Sequence, residues 1–153
     1  LYSHFVLYTR RMKNISEQWE YPKNPKKESL PYYLNSVQAG FPSPAEDYVD
    51  ATLDLNEYLI GRPSATYFVR VAGDSMINAG INSGDILIVD RSKTAHHGAI
   101  VVAQVDNDFT VKRLQYDNGK VHLCPENDAF KTITIADDQL VTLGVVTGVV
   151  RRL

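Results

Sequence analysis

The chain has 153 residues, 44% of them hydrophobic and 22% charged, with 16 Lys and Arg against 18 Asp and Glu for a net charge of −2. That suits one globular domain with a sizeable core, and it excludes a chain held along its whole length on nucleic acid or an anionic membrane, which needs concentrated Lys and Arg. No run approaches the about 18 apolar residues of a transmembrane helix, the start LYSHFVLYTRRMK is too polar for a signal peptide, and the lone Cys124 allows no internal disulfide, so a reducing cytoplasm is the expected compartment. The first residue is Leu rather than Met, and a longer parent with an upstream segment is expected.

Residues 1–36 read as an arm or linker. SEQWEYPKNPKKESLPYYLNS mixes charges with three prolines and holds no period of 2 or 3.6. Lys23, Lys26 and Lys27 sit beside Glu20 and Glu28, the mixture of a solvated linker. Ser43 with Glu46 forms a capping box with Pro44 at the first helical position, which predicts a short helix there. Asp54 with Glu57 predicts a second start, and Gly61 followed by Pro63 a stop, for a brief helix over 55–60.

From Thr66 onward the pattern is strand: TYFVRVAG, DILIVDR, AIVVAQV, FTVKRLQY, KVHLC and, at the end, LVTLGVVTGVV. The separators NSGD, HHG, DND and DNG are turn chemistry, and DNDF and YDNGK read as hairpins. No internal repeat is evident. The expected architecture is a compact, mostly β domain over 37–153 with one or two short helices near its start and an extended N-terminal arm.

One strand is broken by Gly73-Asp74-Ser75-Met76. Gly73 removes side-chain bulk where the chain turns, and a turn leaves backbone N–H groups outside the sheet ladder, available to a developing oxyanion. A serine there is suited to be a nucleophile; read alone, the tetrapeptide favours a simple turn serine. A nucleophile needs a base. His4 lies in the arm, His96 and His97 in a turn, and His122 in a strand without an Asp partner. A neutral lysine amine is the other solution, and Lys112 in FTVKRLQY is the candidate. Alternation puts Lys112 with Thr110, Leu114 and Tyr116, and Arg113 with Phe109 and Val111, so one of the two cations faces buried ground; alternation does not say which. Lysine suits burial better, because its pKa falls from about 10.4 toward neutrality when desolvated whereas Arg stays charged.

No P-loop, GxGxxG, HExxH or Cys-x-x-Cys is present, and Asp74, Asp85 and Asp90 match no Ca²⁺ loop, so neither cofactor nor metal is expected.

GFPSPAEDYVD, DLNEYLI, PSATYFVRVAGDSM, GDILIVDR, FTVKRL and GVVTGVV occur in one order from about Val37 to Val150. Together they resemble the UmuD branch of the LexA-like self-cleaving proteins, and in particular its long, UmuD-like SOS repressors. The resemblance extends to the 37 residues between Ser75 and Lys112. It implies Ser75 as nucleophile, Lys112 as general base, and the backbone of Asp74 and Ser75 as oxyanion donors. It implies that the substrate is the protein's own arm, cut at Ala39–Gly40 just before FPSP. A small Ala39 enters a narrow pocket, Gly40 lets the backbone bend, and the following prolines resist helix.

The resemblance further implies a homodimer, with LVTLGVVTGVV as an apolar sheet edge at the two-fold interface. It implies stimulation by the RecA–single-stranded DNA filament, through a shift toward the conformer with the arm in the site. Two jobs follow. One is a LexA-like repressor whose operator-binding region precedes Leu1 and is severed by the cut. The other is a UmuD-type accessory subunit that, once trimmed, activates an error-prone translesion polymerase.

Overall fold

The computed structural model describes residues 26–32 and 51–153. The Ser43–Glu46 capping box, the Ala39–Gly40 bond, Lys23 and the arm boundary at 36/37 lie outside the described residues.

The described chain is mostly β. Strand β1 (Leu30–Tyr32), inside the stretch read as arm, pairs antiparallel with β2 (Ala51–Leu53), Leu30 opposite Leu53. Helix α1 (Leu55–Leu59) follows, and its start is the predicted one: Asp54 is the N-cap, accepting from the backbone N–H of Asn56 at 2.8 Å and of Glu57 at 3.3 Å. The same buried carboxylate accepts the Glu28 N–H at 2.9 Å, so the cap also holds the chain just before β1.

The main sheet has seven strands: β3 (Thr66–Arg70), β4 (Ile86–Asp90), β5 (Ile100–Val105), β6 (Asp108–Asp117), β7 (Lys120–Cys124), β8 (Ile133–Ala136) and β9 (Val141–Val150). Their order across the sheet is β3-β4-β9-β5-β6-β7-β8, every pair antiparallel. The β5–β6 turn puts Asp106 and Asn107 at positive φ, and the β6–β7 turn does the same with Asn118 and Gly119, the two-residue hairpin geometry that matches strand twist. β8 escapes the sequence reading because only Ile133 and Ile135 alternate inward over four residues.

β9 is not the free edge expected of LVTLGVVTGVV. Residues 141–145 pair with β5 and residues 145–150 with β4, so the strand joins the two halves of the sheet. Its apolar character reflects the two faces it helps to cover: Val145 enters one core, and Leu143 and Val146 pack against the other. Two cores result. Val101, Ala103, Leu114, Val121, Leu123 and Val145 form one; Met76, Ile81, Leu87, Val89 and Val102 form the other. Successive β5 residues enter opposite cores, which is why IVVA reads as one continuous apolar run.

The Arg151 guanidinium, just past β9, donates to buried Asp85 at 2.7 Å and 2.6 Å. That ion pair, helped by the Asn82 N–H, holds the Asp85 carboxyl down at about 2 and ties the C-terminal end to the loop before β4.

Gly144 sits where β9 passes from β5 to β4. A Cβ there would lie 2.7 Å from Val89 Cγ1 and 3.1 Å from the Asp90 carbonyl oxygen. Val89 is fully buried and Asp90 O is backbone, so neither yields cheaply. Gly144→Ala is expected to destabilise the domain by about 1–3 kcal/mol through overpacking, read as a lowered urea midpoint with an unchanged denaturant slope; a midpoint equal to that of the unsubstituted chain contradicts the tight crossing.

Candidate active site

Ser75 lies in the loop between β3 and β4. The ladder runs slightly past β3, with Val71 N–H donating to Asp85 O and Gly84 N–H to Val71 O. The chain then turns at Gly73, whose φ is +88°, a conformation that favours glycine. Met76, 2% exposed, plugs into the second core, and a 3-10 turn (Ile77–Ala79) follows. Ser75 is therefore held between an exposed glycine turn and a buried anchor.

Lys112 lies on β6 directly opposite Val101 of β5, on the face it shares with Leu114. Val101 and Leu114 are fully buried, and Lys112 is only 7% exposed. This resolves the choice that alternation left open. Arg113 goes the other way: its guanidinium donates to the Glu126 carboxylate and, at 2.7 Å, to Gly98 O.

The Lys112 ammonium donates to Ser75 Oγ at 2.8 Å, Thr110 Oγ1 at 2.9 Å and Val111 O at 2.9 Å. Three acceptors meet three N–H bonds. No carboxylate is among them, so nothing offsets desolvation with charge, and burial pushes the Lys112 amine below its ordinary value. With one proton gone, the two remaining N–H bonds suffice for Thr110 and Val111, and the lone pair faces Ser75. Such an amine can accept the hydroxyl proton.

The amides of Asp74 and Ser75 donate to no acceptor among the described residues. The carbonyls of this turn are occupied: Asp74 O accepts from Asn127 Nδ2 at 2.9 Å, and Ser75 O from Glu126 N–H at 2.8 Å. Glu126 and Asn127 follow β7 and escape the sequence reading. Their segment, PEND, reads as a turn and carries no sign that it packs on a serine more than fifty residues earlier.

The other candidates lie elsewhere. His96 Nδ1 bonds His97 O, His97 Nδ1 accepts the Tyr116 N–H, and His122 Nδ1 bonds Thr134 Oγ1. Cys124 is a free, half-buried thiol. Asp90 is buried and bonded to Ser92. Among the described residues no group of His, Cys, Asp and Glu is arranged to hold a metal ion, and no helix is long and apolar enough to cross a membrane.

Residues 31–147 match the family described as Peptidase S24-like. The chain is 50% identical over 121 residues to Protein MucA of Escherichia coli, covering 78% of this chain and 82% of that protein. It is 46% identical over 122 residues to Protein ImpA of Salmonella typhimurium, covering 80% and 83%. It is 38% identical over 124 residues to the LexA repressor of Alcanivorax borkumensis, covering 81% of this chain and 60% of the repressor.

A lysine whose pKa is lower folded than unfolded is more protonated in the unfolded state between the two values. Stability therefore rises with pH across the window from the lowered value up to the ordinary 10.5, and the penalty for the charged form is fully present below it. In a Ser75→Ala background, which prevents cutting, Lys112→Met is expected to abolish that rise and to raise the urea midpoint at pH 7 relative to the lysine form. Parallel stability–pH curves for the two chains would show that Lys112 is not desolvated.

Proposed function

We propose that this chain, which belongs to the Peptidase S24-like family, is a regulator of the DNA-damage (SOS) response that cuts its own backbone between Ala39 and Gly40, with Ser75 as nucleophile and Lys112 as general base. The observation that carries the reading is the 2.8 Å contact between a buried lysine amine and a serine hydroxyl on a glycine turn.

The chemistry follows from those atoms. Neutral Lys112 takes the Ser75 proton as Oγ bonds to the carbonyl carbon of Ala39. The negative charge that develops on the Ala39 oxygen is met by the N–H groups of Asp74 and Ser75. As the C–N bond breaks, the Lys112 ammonium returns the proton to the Gly40 nitrogen, leaving Ala39 esterified to Ser75. Water, deprotonated by the same amine, hydrolyses the ester and restores the serine. No cofactor and no metal take part.

Residues 1–36 serve as the arm and 37–153 as the peptidase and dimerisation domain of a cytoplasmic bacterial homodimer. The RecA–single-stranded DNA filament acts as co-protease by favouring the conformer in which the arm covers the site. That conformer further excludes water from Lys112, which favours the neutral amine.

The first reading of the job is a LexA-like transcriptional repressor, inactivated when the cut severs an operator-binding region that precedes Leu1. The likeness to a LexA repressor supports it. A UmuD-type accessory subunit, activated by the cut to assist the catalytic subunit of an error-prone translesion polymerase, is the second. Identities of 46–50% with ImpA and MucA, against 38% with the LexA repressor, favour it, as does the fuller coverage of those shorter relatives.

Incubation near pH 10, about the pKa of a free lysine, is expected to give a cut after Ala39 by mass spectrometry, faster than at neutral pH. Ser75→Ala and Lys112→Ala are expected to remain whole. A whole unsubstituted chain at pH 10 and with RecA filaments sinks the peptidase reading. Operator binding by the full-length gene product that is lost on cutting selects the repressor; binding of the cut form to a polymerase subunit selects the accessory role.

A further inference from the structure

The Ser75 turn is gripped by one loop through its two consecutive carbonyls. Asn127 Nδ2 donates to Asp74 O at 2.9 Å, and the Glu126 N–H donates to Ser75 O at 2.8 Å. A trans peptide is planar, with its C=O and N–H pointing in opposite directions. A bond that anchors Asp74 O therefore also sets the direction of the Ser75 N–H. The bond to Ser75 O anchors the next plane. Ser75 Cα lies between two anchored planes, so its φ and ψ are set, and with them the direction of Cβ, from which the bond to Lys112 selects the rotamer of Oγ.

The loop is itself held. Glu126 O accepts the Asn78 N–H at 2.9 Å, and the Glu126 carboxylate pairs with Arg113, which also reaches Gly98 O. Asn127 Oδ1 accepts the Ala129 N–H at 3.0 Å, which orients the side-chain amide so that its NH₂ faces Asp74 O. Lys112 and Arg113, adjacent on β6, thus reach the same serine by two routes, one directly to Oγ and one through the loop to its backbone.

We propose that Asn127 is a positioning residue for self-cleavage: seated by Glu126 and Arg113, its side-chain amide aims the Ser75 N–H at the oxyanion and keeps Ser75 Oγ in line with Lys112. It touches no reacting atom. The inference rests on the self-cleavage reading above.

Asn127→Asp keeps the shape and the acceptor for Ala129 N–H but removes the side-chain donor to Asp74 O, leaving that carbonyl only the longer 3.4 Å contact from the Ile77 N–H. Asn127→Ser keeps an acceptor near the turn and is too short to reach Asp74 O. Each is expected to lower the plateau rate of self-cleavage roughly ten- to a hundredfold, less than the 10²- to 10³-fold of deleting an oxyanion donor outright. The midpoint of the pH–rate curve and the thermal midpoint are expected to stay in place, because Lys112 and the core are untouched. Either variant, folded and cutting at the unsubstituted rate, overturns the proposal. So does a rate loss that comes with a shifted pH midpoint, which would mean Asn127 acts on Lys112.

Amide hydrogen exchange reads the anchor without any cutting. The Glu126 and Asn78 amides are expected to exchange about tenfold faster in Asn127→Asp, and unchanged exchange overturns the anchoring. An unsubstituted chain that stays whole in the same assays sinks the cleavage reading instead, and the exchange result then decides the anchor by itself.

Discussion

Everything about this site depends on a lysine amine kept in the wall of a β-sheet. Taking an ammonium out of water costs several kcal/mol even after the protein relaxes. Hydrogen bonds to a charged group return about 1.5–3 kcal/mol each, and Lys112 has three, all to neutral oxygens. The opposing sums are of similar size. A carboxylate in place of any of these acceptors would secure the proton and leave an inert ion pair. Full exposure would leave the amine at its ordinary value. Burial with neutral acceptors leaves the proton weakly held, as a base facing a serine requires.

The rest of the fold keeps that amine from escaping to solvent. Lys112 cannot leave its face without slipping the β5–β6 register, and a one-residue slip of β6 would turn Leu114 outward as well. β5 is fixed by cores on both sides. β9 binds the half of the sheet that carries Lys112 to the half from which the Ser75 loop emerges, and it does so through a crossing at Gly144 with no room for a methyl group. On the serine side, Met76 is the anchor: its burial draws the turn against the core and leaves Ser75 at the boundary. The serine hydroxyl and the lysine amine are thus set by separate packing constraints that meet at 2.8 Å.

Asp54 shows the same economy at the other end of the domain. One carboxylate caps α1 and holds the backbone of Glu28, so the start of the helix and the approach of β1 to β2 depend on a single side chain. The backbone hydrogen bonds it accepts hold its own carboxyl below the ordinary value despite its burial. The strand pair it steadies brackets the segment that contains Ala39–Gly40.

The sequence by itself determined most of the secondary structure, because those signals are local. Asp54 announces a helix start, and DND and DNG announce hairpins, through short-range sterics and capping that need no distant partner. It also determined which residue types were available for chemistry: a serine on a glycine turn, no convincing histidine, and a lysine in a strand. Tertiary structure decided what alternation cannot. Period 2 separates Lys112 from Arg113 but does not say which face is buried, since that depends on Val101 and Leu114 being closed over by other strands. It turned LVTLGVVTGVV from an expected edge into a central strand, because an apolar run reports burial and not which strands supply it. It made a strand of Ile133–Ala136, too short to declare itself. And it brought Glu126 and Asn127 onto the Ser75 turn, a contact between backbone carbonyls and a distant loop that leaves no periodic or compositional trace, because backbone acceptors are the same in every residue.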